Sequence, residues 1–392
     1  MSVTPFSNSR IEISKSALQC NFSFLRDVVG ESSIICSVVK GNAYGHGIEQ
    51  FIPLAESCGT RWFGVYSADE AQRVYACRSE DSKILVMGGL TAEQIAWAVE
   101  HDVTFHVFSQ HSLDEALKTA KSMKRRAKMH LELETGMNRF GFDAAGLDEA
   151  VAALKQNEKY VEISGICTHF AGAESVANHM RIERQIQTFE SRVEWLRKQG
   201  IEPRLIHAAS SAATFSYPAT RYDMVRVGIA LYGFWPSLET RMQYVLQHSD
   251  ESEQIAHDPI KRILSWQTNV INVKHVRAGE FVGYGTTFMT TRPSRMAAIP
   301  VGYYHGFNRN LSNIGHVLIR GTRAPVAGVV NMNMMLVDVT DIRDVQVGDE
   351  VVMIGKQGQS EITVGAFSDL TNLLNYEALV RLSPDIERVV VA

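Results

Sequence analysis

The chain has 392 residues, of which 45% are hydrophobic and 21% are charged, and its formal net charge is −4. This length predicts two domains, and the composition is typical of a globular protein. The charge pattern does not indicate a nucleic-acid surface, and no apolar run reaches the ~18 residues that a transmembrane helix needs. The N-terminal residues lack the apolar core of a signal peptide, so we expect a cytoplasmic location.

The five cysteines are scattered along the chain and form no C-x-x-C pair. Their odd number and their spacing argue against a disulfide framework and against a zinc site. They favour a reducing compartment, and we expect no metal.

Eight apolar runs in the first part of the chain alternate with helical patterns. The runs are continuous rather than alternating in polarity, as expected for strands that are buried on both faces. They are Ile34–Val39, Trp62–Tyr66, Ile84–Met87, Val103–Phe108, Met129–Leu133, Ile163–Thr168, Leu205–Ala208 and Val225–Leu231. Eight β–α units predict an α/β fold, a (β/α)8 TIM-type barrel over residues 11–240, with a doubly wound open sheet as the alternative.

Short sequence patterns between these runs predict where helices begin and end. The capping-box patterns Ser67-x-x-Glu70, Thr91-x-x-Gln94 and Ser112-x-x-Glu115 predict three helix starts. Gly59 is a candidate helix stop before the second strand.

After about Trp235 the pattern changes to strand-like runs that are separated by turns containing glycine. The runs are Trp266–Val276, Met296–Val301, His316–Arg320, Met335–Val339 and Glu350–Ile354. They predict a second, mainly β domain formed by residues 1–10 and 241–392. Arg10–Ser14 alternates in polarity like a half-exposed strand and could join the sheet of that domain.

Polar residues follow several barrel strands at their carboxyl ends, where a barrel places its working residues. Lys40 follows the first strand, and burying a lysine is costly unless its pKa falls or its amine is bonded covalently. Arg139 follows the fifth strand, His169 the sixth and Ser211 the seventh, whereas Arg226 lies in the eighth. Each feature alone has a structural explanation, and their occurrence at successive strand ends is what favours an active site.

The last two strand ends predict a phosphate site. Barrels often bind phosphate with the loops after strands seven and eight. Ser211 offers a hydroxyl there, and Gly228–Ile229 could offer backbone N–H groups. The pattern therefore suggests a phosphate-bearing cofactor opposite Lys40.

The segment Val38-Val-Lys-Gly-Asn-Ala-Tyr-Gly-His-Gly47 closely resembles the lysine motif of alanine racemases, which are fold-type III pyridoxal-phosphate enzymes. In the second domain Val282–Thr286, Val301–Tyr303 and Asn375–Glu377 match the same family in order, so the resemblance runs nearly end to end. It implies a pyridoxal 5'-phosphate cofactor, an amino-acid substrate and a homodimer with active sites at the subunit interface. The implied reaction interconverts L- and D-alanine and supplies D-alanine for peptidoglycan.

The resemblance also implies roles for individual residues. Lys40 would hold the cofactor and act as one base, and Tyr284 would be the second base, reaching the active site of the partner subunit. Arg226 would donate to the pyridine nitrogen, and His169 would lie near the ring and Tyr284. The phosphate would be held by Tyr44, Ser211, Gly228, Ile229 and Tyr376. Arg139 would contact the cofactor phenolate and the substrate carboxylate, which the backbone N–H of Met332 from the other subunit would also bind.

Several residues depart from the family pattern. Glu132 stands where many relatives carry a lysine that becomes carbamylated, and we hypothesise that its permanent negative charge positions Arg139, with His207 as a further supporting residue. The alternative is a solvent-facing strand carboxylate. Ser210, Asn331 and Asn333 also differ around the substrate mouth. These differences leave the reaction type unchanged but leave open a racemase of serine or of a broader amino-acid range. The sequence contexts of Tyr284 and Arg226 argue against a decarboxylase on the same two-domain plan, and the second domain with its tyrosine argues against a cofactor-binding protein without activity.

Overall fold

A computed structural model describes residues 8–247, 258–371 and 374–392. The described residues form two compact units. The barrel unit comprises Ala17–Lys40 and Phe51–Lys261, and the strand-rich unit comprises residues 8–16, Gly41–Gln50 and the part from Arg262 onward. No helix among these residues has the length and apolar character that crossing a bilayer requires.

The barrel unit ends at Lys261, whereas the prediction ended the barrel domain at residue 240 and assigned 1–10 and 241–392 to the second domain. The Asn21 side chain ties Lys261 to the barrel unit. Its amide nitrogen donates to the carbonyl oxygens of Leu231 (2.9 Å) and Lys261 (2.8 Å), and its oxygen accepts from the Lys261 N–H at 2.7 Å. A buried amide whose nitrogen and oxygen are both hydrogen-bonded holds Lys261 in place.

The parallel sheet of the barrel unit contains eight strands in its described residues. They are β2 (Ile34–Val38), β3 (Trp62–Val65), β4 (Lys83–Val86), β5 (Thr104–Val107), β6 (Ala127–Glu132), β7 (Val161–Cys167), β8 (Leu205–His207) and β9 (Met224–Val227). Neighbours pair in the order β8-β7-β6-β5-β4-β3-β2-β9. The two end strands meet through a bridge between Ser210 and Arg226 and a bond from the Asp223 N–H to the Ile206 carbonyl at 3.1 Å. The sheet is therefore a nearly closed barrel, as predicted, and not an open sheet.

A helix follows each barrel strand, and another precedes the first strand. The helices are α1 (Lys15–Val29), α2 (Ile48–Ser57), α3 (Ala68–Cys77), α4 (Ala92–Glu100), α5 (Gln110–Met123), α6 (Ala144–Gln156), α7 (His179–Lys198), α8 (Ser211–Ser216) and α9 (Leu238–Gln247). Gly59 lies two residues beyond α2 with φ of 97°, which agrees with its predicted role as a helix stop.

One of the three predicted capping boxes is confirmed. At the start of α4 the Thr91 side chain accepts a hydrogen bond from the Gln94 N–H, and the Gln94 side chain accepts one from the Thr91 N–H. Ser67 makes no side-chain cap, and the Glu70 carboxylate instead accepts from the Tyr66 N–H at 2.9 Å. The third prediction was wrong because α5 begins earlier, with Ser109 as its cap and Ser112 as the reciprocal partner.

The strand-rich unit contains two sheets in the part of the chain that is described. The strands are β1 (Ser9–Ser14), β10 (Leu264–Asn269), β11 (Asn272–Val276), β12 (Ser294–Ile299), β13 (His316–Ile319), β14 (Thr322–Pro325), β15 (Met335–Asp338), β16 (Glu350–Gln357), β17 (Ser360–Ile362) and β18 (Glu387–Val391). The larger sheet has the order β14-β13-β16-β10-β1-β18 with β17 beside β16, and the smaller has the order β11-β12-β15. Two helices, α10 (Val364–Thr371) and α11 (Asn375–Val380), precede β18.

The predicted N-terminal strand is confirmed, because β1 pairs antiparallel with β10 and parallel with β18. Its inward residues Ile11 and Ile13 are fully buried. The predicted single strand Trp266–Val276 is two strands in different sheets. The chain changes sheet at Val270 and Ile271, whose N–H groups donate to Asp349 (2.9 Å) and Ala298 (3.0 Å) on separate elements.

Candidate active site

Lys40 lies two residues after the end of β2 and begins an unusual turn. The next four residues, Gly41–Tyr44, all have positive φ angles of 63°, 55°, 53° and 51°. A left-handed conformation costs about 1–2 kcal/mol for each residue other than glycine, and runs of such residues are rare. Strain of this kind occurs mainly where a functional group must be held in one position. The backbone therefore supports a special role for the segment after Lys40.

The electrostatic surroundings of Lys40 favour its neutral amine. Partial burial lowers the pKa of Lys40 below its ordinary value of 10.5, although the side chain remains accessible to solvent. The positive charges of Arg139 and Arg226 lower the pKa further, and Glu70 opposes them. A lysine with a lowered pKa is a better nucleophile and a better base near neutral pH.

Arg226 lies at the centre of the site and is 6% exposed. Its Nη2 donates to the carbonyl oxygens of Thr168 (2.8 Å) and Ala208 (3.1 Å) and lies 3.4 Å from His169 Nδ1. Its Nη1 donates to His207 Nδ1. These bonds hold the guanidinium from two neighbouring strand ends, so its direction is fixed before any ligand binds.

The bonds of Arg226 also fix the proton positions of two histidines. Guanidinium can only donate, so His207 Nδ1 accepts and its Nε2 carries the proton. That proton is donated to His130 Nδ1 at 2.8 Å. Burial, followed by neighbouring positive charge, lowers the pKa values of His207 and His130 well below 6.5, so both are neutral at pH 7.

These histidines resemble a metal centre only by spacing. Nitrogens of His106, His130 and His207 lie within 4.8 Å of one another. The bond from Arg226 and the bond between His207 and His130 already occupy three of these nitrogens. A second cation beside Arg226 would also be repelled, so we assign the cluster to a hydrogen-bond chain.

Glu132 is buried, with 7% exposure, which excludes the solvent-facing alternative. Its carboxylate accepts from His106 Nδ1 at 3.1 Å. We expected Glu132 to position Arg139, but the structure makes His106 its direct partner, and Arg139 is near only as a positive charge. Burial alone would raise the pKa of Glu132, yet the His106 bond and the charges of Arg226 and Arg139 lower it overall. Glu132 is therefore a buried anion that balances the cationic centre of the barrel.

The predicted phosphate site lies after β8 and β9. The chain leaves β9 at Val227, earlier than predicted, because the next residues form turns closed by a bond from the Leu231 N–H to the Gly228 carbonyl at 2.9 Å. Ser211 begins α8, and its hydroxyl accepts from the Gly228 N–H at 2.9 Å. The structure thus brings Ser211 and Gly228 together, with Ile229 next in the chain.

Arg139 lies in the exposed loop after β6. The Glu134 carboxylate shapes this loop by accepting from the backbone N–H groups of Gly136 and of Arg139, the latter at 3.3 Å. The Arg139 guanidinium lies 5.6 Å from the ring centroid of Phe140. Its accessible position suits a residue that binds a substrate carboxylate.

The remaining candidates belong to the strand-rich unit. The rings of Tyr44 and Tyr376 lie 6.1 Å apart. Tyr284 is 74% exposed between Gly283 and Gly285, which both have positive φ angles. Met332 is 54% exposed, and its carbonyl accepts from the Tyr304 N–H at 3.0 Å.

Sequence reasoning missed His106 and His130. Each is a histidine between apolar residues of a central barrel strand, so burial of its side chain was to be expected. A buried histidine needs hydrogen-bond partners, and that requirement was the available signal. What the strand pattern could not give was the identity of the partners.

Comparison with known proteins places the chain in a family. The family model "Alanine racemase, N-terminal domain" matches residues 13–236, and "Alanine racemase, C-terminal domain" matches residues 263–390. A curated alanine racemase of Leptospira interrogans is 36% identical over 386 residues, covering 98% of this chain and 96% of the relative. The chain belongs to the alanine racemase family, whose members are pyridoxal-phosphate-dependent isomerases.

Comparison with solved structures supports the same family assignment. The structure of alanine racemase from Bacillus anthracis with bound L-Ala-P superposes with a TM-score of 0.89 at 28% identity, covering 100% of this chain and 96% of that one. Alanine racemase from Bartonella henselae with covalently bound pyridoxal phosphate gives a TM-score of 0.82 at 26% identity, with coverage of 99% and 100%. The predicted family and fold are confirmed, and alanine racemisation is supported over the serine and decarboxylase alternatives.

Proposed function

We propose that this chain interconverts L-alanine and D-alanine with pyridoxal 5'-phosphate held on Lys40, as a cytoplasmic homodimer that supplies D-alanine for peptidoglycan. The observation that carries the proposal is the lysine of lowered pKa at the end of β2, in the same barrel mouth as the buried guanidinium of Arg226. The other residues are assigned around these two groups.

The residues of the barrel unit fit the cofactor chemically. Ser211 and the N–H groups of Gly228 and Ile229 are donors suited to a phosphate. Arg226 would donate to the pyridine nitrogen, and because guanidinium keeps its proton, that nitrogen would stay unprotonated. The family resemblance adds Tyr44 and Tyr376 as phosphate donors. When bound, the cofactor would make the Cα proton of an attached amino acid acidic by delocalising the electrons left behind.

Two bases on opposite faces of the reacting carbon are needed to exchange its configuration. The neutral Lys40 amine would take the proton from one face, or return it, and the Tyr284 hydroxyl would act on the other face. His169 would stay neutral beside Arg226, because burial and then the charge of Arg226 lower its pKa to about 3. It would therefore add no second positive charge near the ring.

The substrate carboxylate would be bound by Arg139 and by the backbone N–H of Met332 from the partner subunit. A guanidinium in an exposed loop can form two parallel bonds to a carboxylate. Such a contact would orient the amino acid so that its Cα–H points at one of the two bases.

A homodimer is supported by the surface around Tyr284. Phe281 (55% exposed) and Met289 (50% exposed) pair as an isolated bridge, and the exposed Tyr284 lies between them in the chain. Large apolar side chains that are exposed together are typical of an interaction site. We propose that a second copy of the chain covers it and receives Tyr284.

The experiment that tests the function is racemisation by the purified protein with pyridoxal phosphate. L-alanine, L-serine, L-lysine and L-arginine are offered separately, and chiral chromatography detects the D-isomers. We expect D-alanine to form fastest and the Lys40→Ala variant to lose both the reaction and the visible absorption band of the bound cofactor. D-serine as the main product would overturn the substrate, and no D-product from any of them would overturn the reaction.

A further inference from the structure

Arg388 on β18 is a buried cation, with 9% exposure, and the function proposed above gives it no role. Its guanidinium donates twice to the carbonyl of Gly45, through Nε at 3.2 Å and Nη2 at 3.0 Å. Nη1 donates to the carbonyls of Ser383 (2.7 Å), Pro384 (3.0 Å) and Ile386 (2.5 Å). One side chain therefore joins the C-terminal segment of the strand-rich unit to the turn that follows Lys40.

That turn needs support because its conformation is unfavourable. Its carbonyls are all bonded: Gly41 accepts from the Gly45 N–H and Asn42 from the Gly47 N–H, each at 2.9 Å. His46 Nδ1 lies 3.0 Å from the Ala43 carbonyl and 2.9 Å from the Tyr44 carbonyl, to which it donates. Arg388 supplies the bond to Gly45, the last carbonyl of the series.

The turn also approaches its surroundings too closely for side chains. A Cβ atom added to Gly45 would lie 2.1 Å from the Leu379 carbonyl oxygen, and one added to Gly47 would lie 3.3 Å from Arg388 Cδ. Close backbone contacts and charged hydrogen bonds together hold the turn in one conformation. Residues 41–47 are therefore held from the C-terminal side of the same unit.

We propose that Arg388 is a positioning residue for the racemase reaction: by holding the Gly45 carbonyl it fixes the left-handed turn and thereby the direction in which Lys40 presents its amine. This inference rests on the proposed function, because it takes Lys40 as the group that holds the cofactor. In this role Arg388 would touch neither substrate nor cofactor. It acts through the backbone of residues 41–45.

The test compares Arg388→Lys and Arg388→Gln with a matched control, Arg295→Lys. Arg295 on β12 of the same unit also donates to backbone carbonyls, those of Val345 at 2.7 Å and Ile342 at 3.4 Å, but it holds a different loop. Hydrogen exchange of the amides of residues 41–47 is measured in the full-length apoprotein. The dissociation constant of pyridoxal phosphate, kcat, KM and the melting temperature are measured for each variant.

For Arg388→Lys we expect the Gly45 and Gly47 amides to exchange about tenfold faster in the apoprotein. The dissociation constant of pyridoxal phosphate should rise about tenfold, because two charged hydrogen bonds to one carbonyl are lost. Arg388→Gln should show the larger effect. The Arg295→Lys control should lower the melting temperature while leaving exchange in the turn and cofactor affinity within about twofold of wild type.

Unchanged exchange and cofactor affinity in both Arg388 variants would overturn the proposal, as would equal changes in the Arg295 control. If Arg388→Gln does not fold, the decision rests on Arg388→Lys. Gly45→Ala should reproduce the loss, because its Cβ would lie 2.1 Å from the Leu379 carbonyl oxygen and displace the turn. Combining it with Arg388→Lys should add little further loss, because both changes act on the same turn. A wild-type protein without the cofactor absorption band would instead contradict the proposed function, so the two failures are distinguishable.

Discussion

The barrel unit and the strand-rich unit carry their functional side chains in opposite ways. In the barrel unit, Arg226 and Glu132 are buried and bonded to neighbouring strands, so their charges are fixed within one chain. In the strand-rich unit, Tyr284 and Met332 are largely exposed. The barrel part of the proposed site is therefore preorganised by its own fold, whereas the proposed homodimer would supply the contacts that hold Tyr284 and Met332.

We expect the largest effect on activity from a substitution of the exposed Tyr284 in the strand-rich unit. Tyr284→Phe removes one hydroxyl, and loss of an acid–base group should lower kcat by about 10²–10⁴-fold. The melting temperature should not change, because the substitution removes only the hydroxyl and keeps the ring that would pack against the partner subunit. Tyr75→Phe, at another partly exposed tyrosine, is the control and should keep wild-type kcat. Steady-state kinetics decide, and a Tyr284→Phe enzyme of normal kcat would show that the exposed tyrosine is not a base.

We expect a smaller effect, on stability, from a substitution of the buried Glu132 in the barrel unit. Glu132→Gln keeps the bond to His106 but removes the anion near Arg226, and it should lower the free energy of unfolding at pH 7 by about 1–3 kcal/mol. Because the pKa of Glu132 is lowered in the folded state, the difference should be complete above pH 4.5 and disappear as the pH falls through the lowered value.

The control for this change is Glu162→Gln on β7. Its partner Arg204 lies 3.8 Å away and is exposed, so the stability change should stay within about 0.5 kcal/mol. Urea titrations of both variants give the comparison. Wild-type kcat and KM for alanine in Glu132→Gln would rule out the hypothesis that Glu132 positions Arg139.

The smallest effect is a change in how stability depends on pH. Burial keeps His130 neutral in the folded state, whereas the unfolded chain binds a proton there below pH 6.5. The unfolded state then holds more protons, so stability falls as the pH falls from 6.5. His130→Asn should reduce this slope by about 1.4 kcal/mol per pH unit between pH 6 and 5. An unchanged slope in urea titrations would show that His130 is protonated in the folded protein.

The sequence predicted the barrel half well because its signals are local. Apolar runs identified the eight strands, and strand order alone placed Lys40, Ser211 and Arg226 at one end of the barrel. Local sequence signals failed where tertiary contacts determine strand boundaries and hydrogen-bond partners. The break between β10 and β11 depends on which strands accept from Val270 and Ile271, and the partner of Glu132 depends on the register between β5 and β6.

The contact of Arg388 with Gly45 could not be predicted from local sequence signals either. Arg388 lies 343 residues from Gly45 in the chain, and no local pattern links a strand arginine to a glycine carbonyl. The left-handed turn gave one clue, since Gly41, Gly45 and Gly47 follow Lys40 closely and all have the positive φ angles that glycine adopts easily. The residue that holds such a turn becomes visible only once the strands are assembled.

Subunit complementation tests whether a complete site needs the barrel unit of one subunit and Tyr284 of another. Lys40→Ala and Tyr284→Phe, each expected to have at most about 1% of wild-type activity alone, are mixed, unfolded, refolded together with pyridoxal phosphate and assayed for D-alanine formation. If sites are shared, half of the dimers are mixed, and one of the two sites in each is intact, so about a quarter of wild-type activity should return. Activity that stays at the level of the separate variants, in a mixture shown to contain mixed dimers, would contradict the claim.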